Sequence, residues 1–137
     1  MESLRKALSK LPAWLLSIVT MLVIFWLTLA PKPLGDETPM FFPGADKVVH
    51  GIMFGFLGSM MMLDWQRKNH WREVYPRRIF VCATLSATLG ILIEFAQASM
   101  GLGRGFEYAD IAADTIGAYV FAIFWVLFQK YWIQNKH

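Results

Sequence analysis

Seven polar side chains stand in or beside long apolar stretches of this chain: Lys47, His50, Glu94, Gln97, Arg104, Asp110 and Asp114. Histidine titrates near neutrality, and a carboxyl shielded from water can hold a proton. His50, Glu94 and Asp110 are therefore candidate catalytic acid–base groups. Lys47, Gln97, Arg104 and Asp114 are candidate substrate-binding groups. Of these, Lys47 and Arg104 suit a phosphate or another anionic headgroup through charge-assisted hydrogen bonds, while Asp114 would orient His50 or Arg104. Asp110, Asp114 and Glu94 also offer oxygen ligands, so a divalent cation is the cofactor such a set would accept.

Something must bring these groups together, and the composition says what kind of element does it. Of the 137 residues, 56% are hydrophobic and 17% charged, against roughly 45–50% and about 25% in ordinary soluble domains. The apolar residues come in blocks, with the charges between them. The expected fold is all-α: one polytopic membrane domain over residues 1–137, a four-transmembrane-helix bundle with spans near 11–30, 46–63, 79–100 and 109–128. The first block, Leu11 to Ala30, has no charge and matches the ~20 residues that cross a bilayer core. It exceeds the roughly 7–15 apolar residues of a signal peptide, and Pro31 follows it, so it reads as a retained anchor. Pro31 to Ala45 holds four of the six prolines and reads as an extended connection. Gly101 to Tyr108 reads as a glycine-rich loop.

Charge gives the orientation. With the N-terminus inside, the inner side carries Arg5, Lys6, Lys10, Arg67, Lys68, Arg72, Arg77, Arg78, Lys130 and Lys136. The outer side then carries only Lys32, Lys47 and Arg104. Ten against three places both termini in the cytoplasm. The basic run after Asp64, interleaved with Trp65, Trp71 and Tyr75, reads as an interfacial belt meeting anionic headgroups, not as a nucleic-acid surface.

This topology gathers the polar residues. His50 lies near the outer start of the second span, Glu94 and Gln97 near the outer end of the third, and Asp110 and Asp114 at the outer start of the fourth. Ala87, Gly90, Glu94, Gln97 and Gly101 recur every three or four residues, as do Asp110, Asp114 and Gly117, so each set shares a helix face. Lys47, His50 or Gly51, Phe54 and Gly58 form a comparable face, and Gly51 and Gly55 have the GxxxG spacing of close helix contacts. Carboxylates facing lipid would cost about 2.5–3.5 kcal/mol each, which turns these faces inward. A plainer reading stands beside this one. Asp46, Lys47, Glu107 and Asp110 also fit solvated helix ends, with acids favoured at a helix N-terminus. Arg104 fits an exposed loop charge, and Cys82 a buried, inert thiol.

The ordered set Asp46-Lys47-Val48-Val49-His50, Glu94-x-x-Gln97, Arg104, Asp110, position 114 and Gly117 resembles the signature of the VanZ-like family. Asp110 stands six positions after the arginine, position 114 four further on, and the glycine three beyond that. The resemblance covers about Asp46 to Gly117; the first span matches only as a generic helix. One position departs, since the family more commonly has asparagine where this chain has Asp114. The resemblance implies a cell-envelope protein of the bacterial inner membrane, from a family named for teicoplanin resistance, and it implies no reaction. The expected partners are membrane lipids and an envelope glycolipid or lipid-linked precursor at the outer leaflet, without nucleic acid. Two alternatives remain: a non-enzymatic headgroup-binding or shielding protein whose polar cluster is structural, and a proton-coupled translocator using Glu94. Enzymatic activity and oligomeric state stay open.

Overall fold

The computed structural model describes residues 2–29, 45–100 and 108–134, with residues 45–46 and 132–134 described by backbone alone. Five helices account for nearly all of them: α1 (Glu2–Ser9), α2 (Leu15–Leu29), α3 (Ala45–Lys68), α4 (Pro76–Ser99) and α5 (Tyr108–Gln134). No strand occurs among the described residues. Residues 30–44 and 101–107, and with them Lys32, Arg104 and Glu107, lie outside the described residues.

Three helices are long and apolar enough to cross a membrane: Lys47–Lys68 in α3, Pro76–Ser99 in α4 and Tyr108–Tyr131 in α5. The expectation of four such helices is corrected at the first block. That helix is described over only 15 residues, which at ~1.5 Å each reach about 22 Å of a core roughly 30 Å thick. Its start is set by a break at Pro12, where Trp14 takes a left-handed φ of 61°, and α1 precedes the break as a separate amphipathic helix of about two turns. The other boundaries also shift. α3 runs five residues past Leu63, and α4 opens at Pro76 behind an extended Tyr75 (φ −65°, ψ 144°), the position where proline's missing N–H costs nothing.

α3 and α5 run parallel and make the most extensive pairing. α4 runs antiparallel against both, and α2 lies along α3 and α4. The polarity is that of a membrane protein. Glu94, Asp114 and Asp64 are each 1% exposed, whereas Leu22, Ile116 and Phe124 on the outer faces are 60–64% exposed. Apolar packing fills the middle in two clusters. Phe54, Leu57 and Ile93 pack with Ile24 of α2, and Met62, Val74, Ile79, Cys82 and Ala122 pack further along.

Candidate functional site

The α3–α5 seam is closed by glycine. At Gly117 a Cβ would overlap the backbone of Gly51, and at Gly55 it would overlap the Phe121 ring, so the two helices approach backbone to backbone. That approach sets the register for the polar residues one and two turns away. On α3, Lys47 and His50 are three apart and share a face. On α5, Asp110 and Asp114 are four apart and share the facing one. Two rungs result. Lys47 Nζ lies 2.6 Å from Asp110 Oδ1, and His50 Nδ1 lies 3.1 Å from Asp114 Oδ1.

The rungs differ in depth. The Lys47 and Asp110 side chains are 30% and 12% exposed; those of His50 and Asp114 are 13% and 1%. The second Asp114 oxygen rests against Gly90 of α4, where an added Cβ would stand 2.6 Å from it. Gly90 therefore makes the room that this carboxylate occupies. Glu94, one turn further along the same α4 stripe, is buried at the same end of the bundle. Three helices thus bring an imidazole and three carboxyls together at one end of the bundle.

Gln97 is turned elsewhere. Its Nε2 donates to the Thr28 carbonyl, 2.6 Å away, which ties α4 to the far end of α2, where Thr28 is itself buried. Arg104 lies outside the described residues. No group of three His, Cys, Asp or Glu side chains is disposed to hold a metal ion among the described residues; Asp110 and Asp114 each face a nitrogen of α3 instead.

A second polar network stands at the opposite end, and the sequence reading did not find it. Asp64 and Arg67, assigned by sequence to an interfacial basic run, are fully buried. Asp64 Oδ1 accepts from Arg67 Nε at 2.7 Å, and Arg67 Nη2 lies within ion-pair distance of the same oxygen, also at 2.7 Å. Its Oδ2 accepts from the Ser17 backbone N–H at 2.8 Å and the Ser17 hydroxyl at 2.7 Å. Arg67 also donates to the carbonyls of Leu8, Leu11 and Pro12 at 2.5–3.0 Å. One ion pair on α3 thereby caps the C-terminus of α1 and the N-terminus of α2, supplying partners that helix ends otherwise lack. Close by, Gln129 of α5 accepts from Val74 N–H and donates to Val74 carbonyl, each at 3.0 Å, pinning the α3–α4 turn. The available signal was Asp64-x-x-Arg67 at helical spacing directly after an apolar run, in a chain whose first block is interrupted by Pro12.

The VanZ/LLP1 family model matches residues 5–129. The chain belongs to the VanZ/LLP1 family. No curated protein and no solved structure matches it. The family match is wider than the motif that first suggested it, running from Arg5 in α1 to Gln129 in α5. In this VanZ/LLP1 protein the match therefore takes in both polar networks, the Asp64–Arg67 caps as well as the His50–Asp114 rung.

Proposed function

We propose that this protein acts at the outer leaflet of the bacterial inner membrane, on or with an envelope glycolipid or lipid-linked precursor, and that it contributes there to glycopeptide (teicoplanin) resistance. The observation that carries this reading is the His50–Asp114 pair, held across α3 and α5 at the end of the bundle where Glu94 is also buried. With its Nδ1 side turned to Asp114, the His50 ring is fixed in orientation, and Nε2 makes no hydrogen bond among the described residues. It is the atom able to give or take a proton at a headgroup hydroxyl or phosphate. Lys47 at the rim, with Arg104, would hold the anionic part of the ligand.

Orientation belongs to the same proposal. α2 crosses as a fourth, shorter element, supported by its ties to Asp64 at one end and Gln97 at the other. Both termini are then cytoplasmic and the His50 end faces outward, as the excess of basic residues at the Asp64 end favours. Reporter fusions at either terminus should read as cytoplasmic, and fusions after Gly44 or Gly103 as external. A C-terminus on the outside would overturn this arrangement.

The second reading, a headgroup-binding or shielding protein without chemistry, is favoured by one observation: both aspartates already face a cation-forming side chain, as a structural lock would require. Glu94→Gln separates the two. It keeps the shape of the side chain and removes its charge. If the site does chemistry, envelope lipid profiles and antibiotic protection should revert to those of cells lacking the protein while its abundance is unchanged. Falling abundance with normal activity per molecule would instead establish the lock.

A further inference from the structure

The end of the bundle opposite His50 carries exposed cations and exposed apolar side chains together. Lys6 and Lys10 on and after α1, Arg72 in the α3–α4 turn and Arg77 at the start of α4 are all exposed. Beside them Leu4, Trp14 and Tyr75 are 58%, 45% and 71% exposed. Lys6 lies 3.8 Å from Glu2, with both side chains open to solvent, and Glu73 is also exposed near this surface. Cations interspersed with leucine, tryptophan and tyrosine form the pattern that sits at a headgroup boundary, apolar groups entering the acyl region and charges meeting phosphate.

We propose that α1, together with the α3–α4 turn, is a preformed docking surface for anionic phospholipid headgroups. This does not depend on the activity proposed at the His50 end. What distinguishes it from a loose basic tail is how firmly α1 is held. All three guanidinium nitrogens of Arg67 donate, Nε to Asp64 and the two Nη atoms to three carbonyls, so α1 cannot leave without stranding a buried guanidinium. Trp71 sits in a left-handed conformation, φ 57°, with its backbone N–H on the Gln66 carbonyl at 2.8 Å. Its indole N–H reaches the Ser9 hydroxyl at 3.1 Å, and the Arg5 guanidinium stacks 5.5 Å from its ring. A residue of this size adopts positive φ only where its surroundings fix it. The indole is thus a buttress under α1, and the outward charges of α1 belong to a surface of fixed shape. Arg67 adds no surface charge of its own, because its side chain is 0% exposed and paired.

The test uses the full chain in vesicles of phosphatidylcholine containing brominated phosphatidylglycerol, with tryptophan quenching as the measure of preference for the anionic lipid. The parent should prefer phosphatidylglycerol, and K6Q/K10Q should lower that preference roughly thirty-fold, because each cation near a surface of anionic lipid contributes about 1 kcal/mol. Arg67→Gln should lower it too, although it removes no exposed charge. Unchanged preference in K6Q/K10Q overturns the proposal outright, and this variant leaves the buried network intact. A well-folded Arg67→Gln protein with parental preference would overturn the preformed surface and leave only a flexible basic segment.

Discussion

The two ends of the bundle each bury an acid beside a base, and they use the pair differently. At Asp64–Arg67 all three guanidinium nitrogens and both carboxylate oxygens have partners, and most of those partners are backbone groups at the break between α1 and α2. Such a pair has no capacity left for a ligand; its role is to finish two helices. At His50–Asp114 the partners are side chains of two parallel helices, the imidazole remains 13% exposed, and its second nitrogen has no hydrogen bond among the described residues. Burial of charge is therefore not by itself a mark of function here. What separates the ends is where the donors point, to backbone in one and to another titratable group in the other.

The largest effect should come from breaking the Asp64–Arg67 pair. Arg67→Leu strands Asp64 in the interior and three carbonyls with it, and removing one partner of a buried pair costs about 3–5 kcal/mol. Thermal unfolding in detergent measures this. Replacing both partners, D64L/R67L, often restores stability when a pair only neutralises itself. Here it should not, since the carbonyls of Leu8, Leu11 and Pro12 would still lack donors. A double variant as stable as the parent would erase the distinction between the two ends.

Next in size are the glycines that bring the His50 end together. Gly117→Ala pushes a methyl into the Gly51 backbone, which cannot rotate away, and Gly90→Ala presses on the Asp114 carboxylate. Overpacking of this kind costs about 1–3 kcal/mol. Gly58 is the internal control, because a Cβ there would meet nothing nearer than 3.7 Å, and Gly58→Ala should melt like the parent. Equal losses at all three positions would mean that the seam is uniformly tight and not built around the polar rungs.

Much of the His50 end was legible in the sequence. Ala87, Gly90, Glu94 and Gln97 recur at helical spacing, and all four are buried on one face of α4. The Gly51/Gly55 pair announced a close helix contact, and its partner is Gly117. Periodicity serves well here because the information is local to each helix. It misleads where the partner is remote. Gln97 reads as a fifth member of the cluster; its amide nitrogen donates to a carbonyl of α2, and a carbonyl has no signature in a sequence. Arg67 was read as a solvated belt charge for the same reason: three of its acceptors are backbone atoms 55–59 residues away. The first block was drawn too long because its apolar composition is continuous, while Trp14's left-handed backbone interrupts the helix.

The third expectation concerns coupling between His50 and Asp114. If they act as one unit, either single substitution already removes most of what the pair contributes, since the remaining partner is left in the interior without its contact. His50→Ala combined with Asp114→Asn should then cost less than the sum of the singles, by about 0.5–3 kcal/mol. The same cycle between His50 and Asp64, at opposite ends of α3, should be additive to within about 0.5 kcal/mol. Additivity at His50–Asp114, with normal abundance of every variant, would remove the ground for treating these residues as a shared site.

The smallest effect is expected at Lys47–Asp110, the outer rung. Its charges stand only 2.6 Å apart, yet the lysine is 30% exposed, so water and salt compete for both charges. Ion pairs open to solvent contribute about 0.2–1 kcal/mol, and less as salt screens them. Lys47→Met should therefore lower the unfolding midpoint only slightly, with the deficit shrinking as ionic strength rises, whereas the deficit of Arg67→Leu should not respond to salt. If Lys47 is the anion ligand proposed for the outer face, the same Met variant should lose protection against the antibiotic far out of proportion to its stability. A loss of function that tracks the small loss of stability would instead assign Lys47 to the bundle alone, and the two ends would then share a structural role.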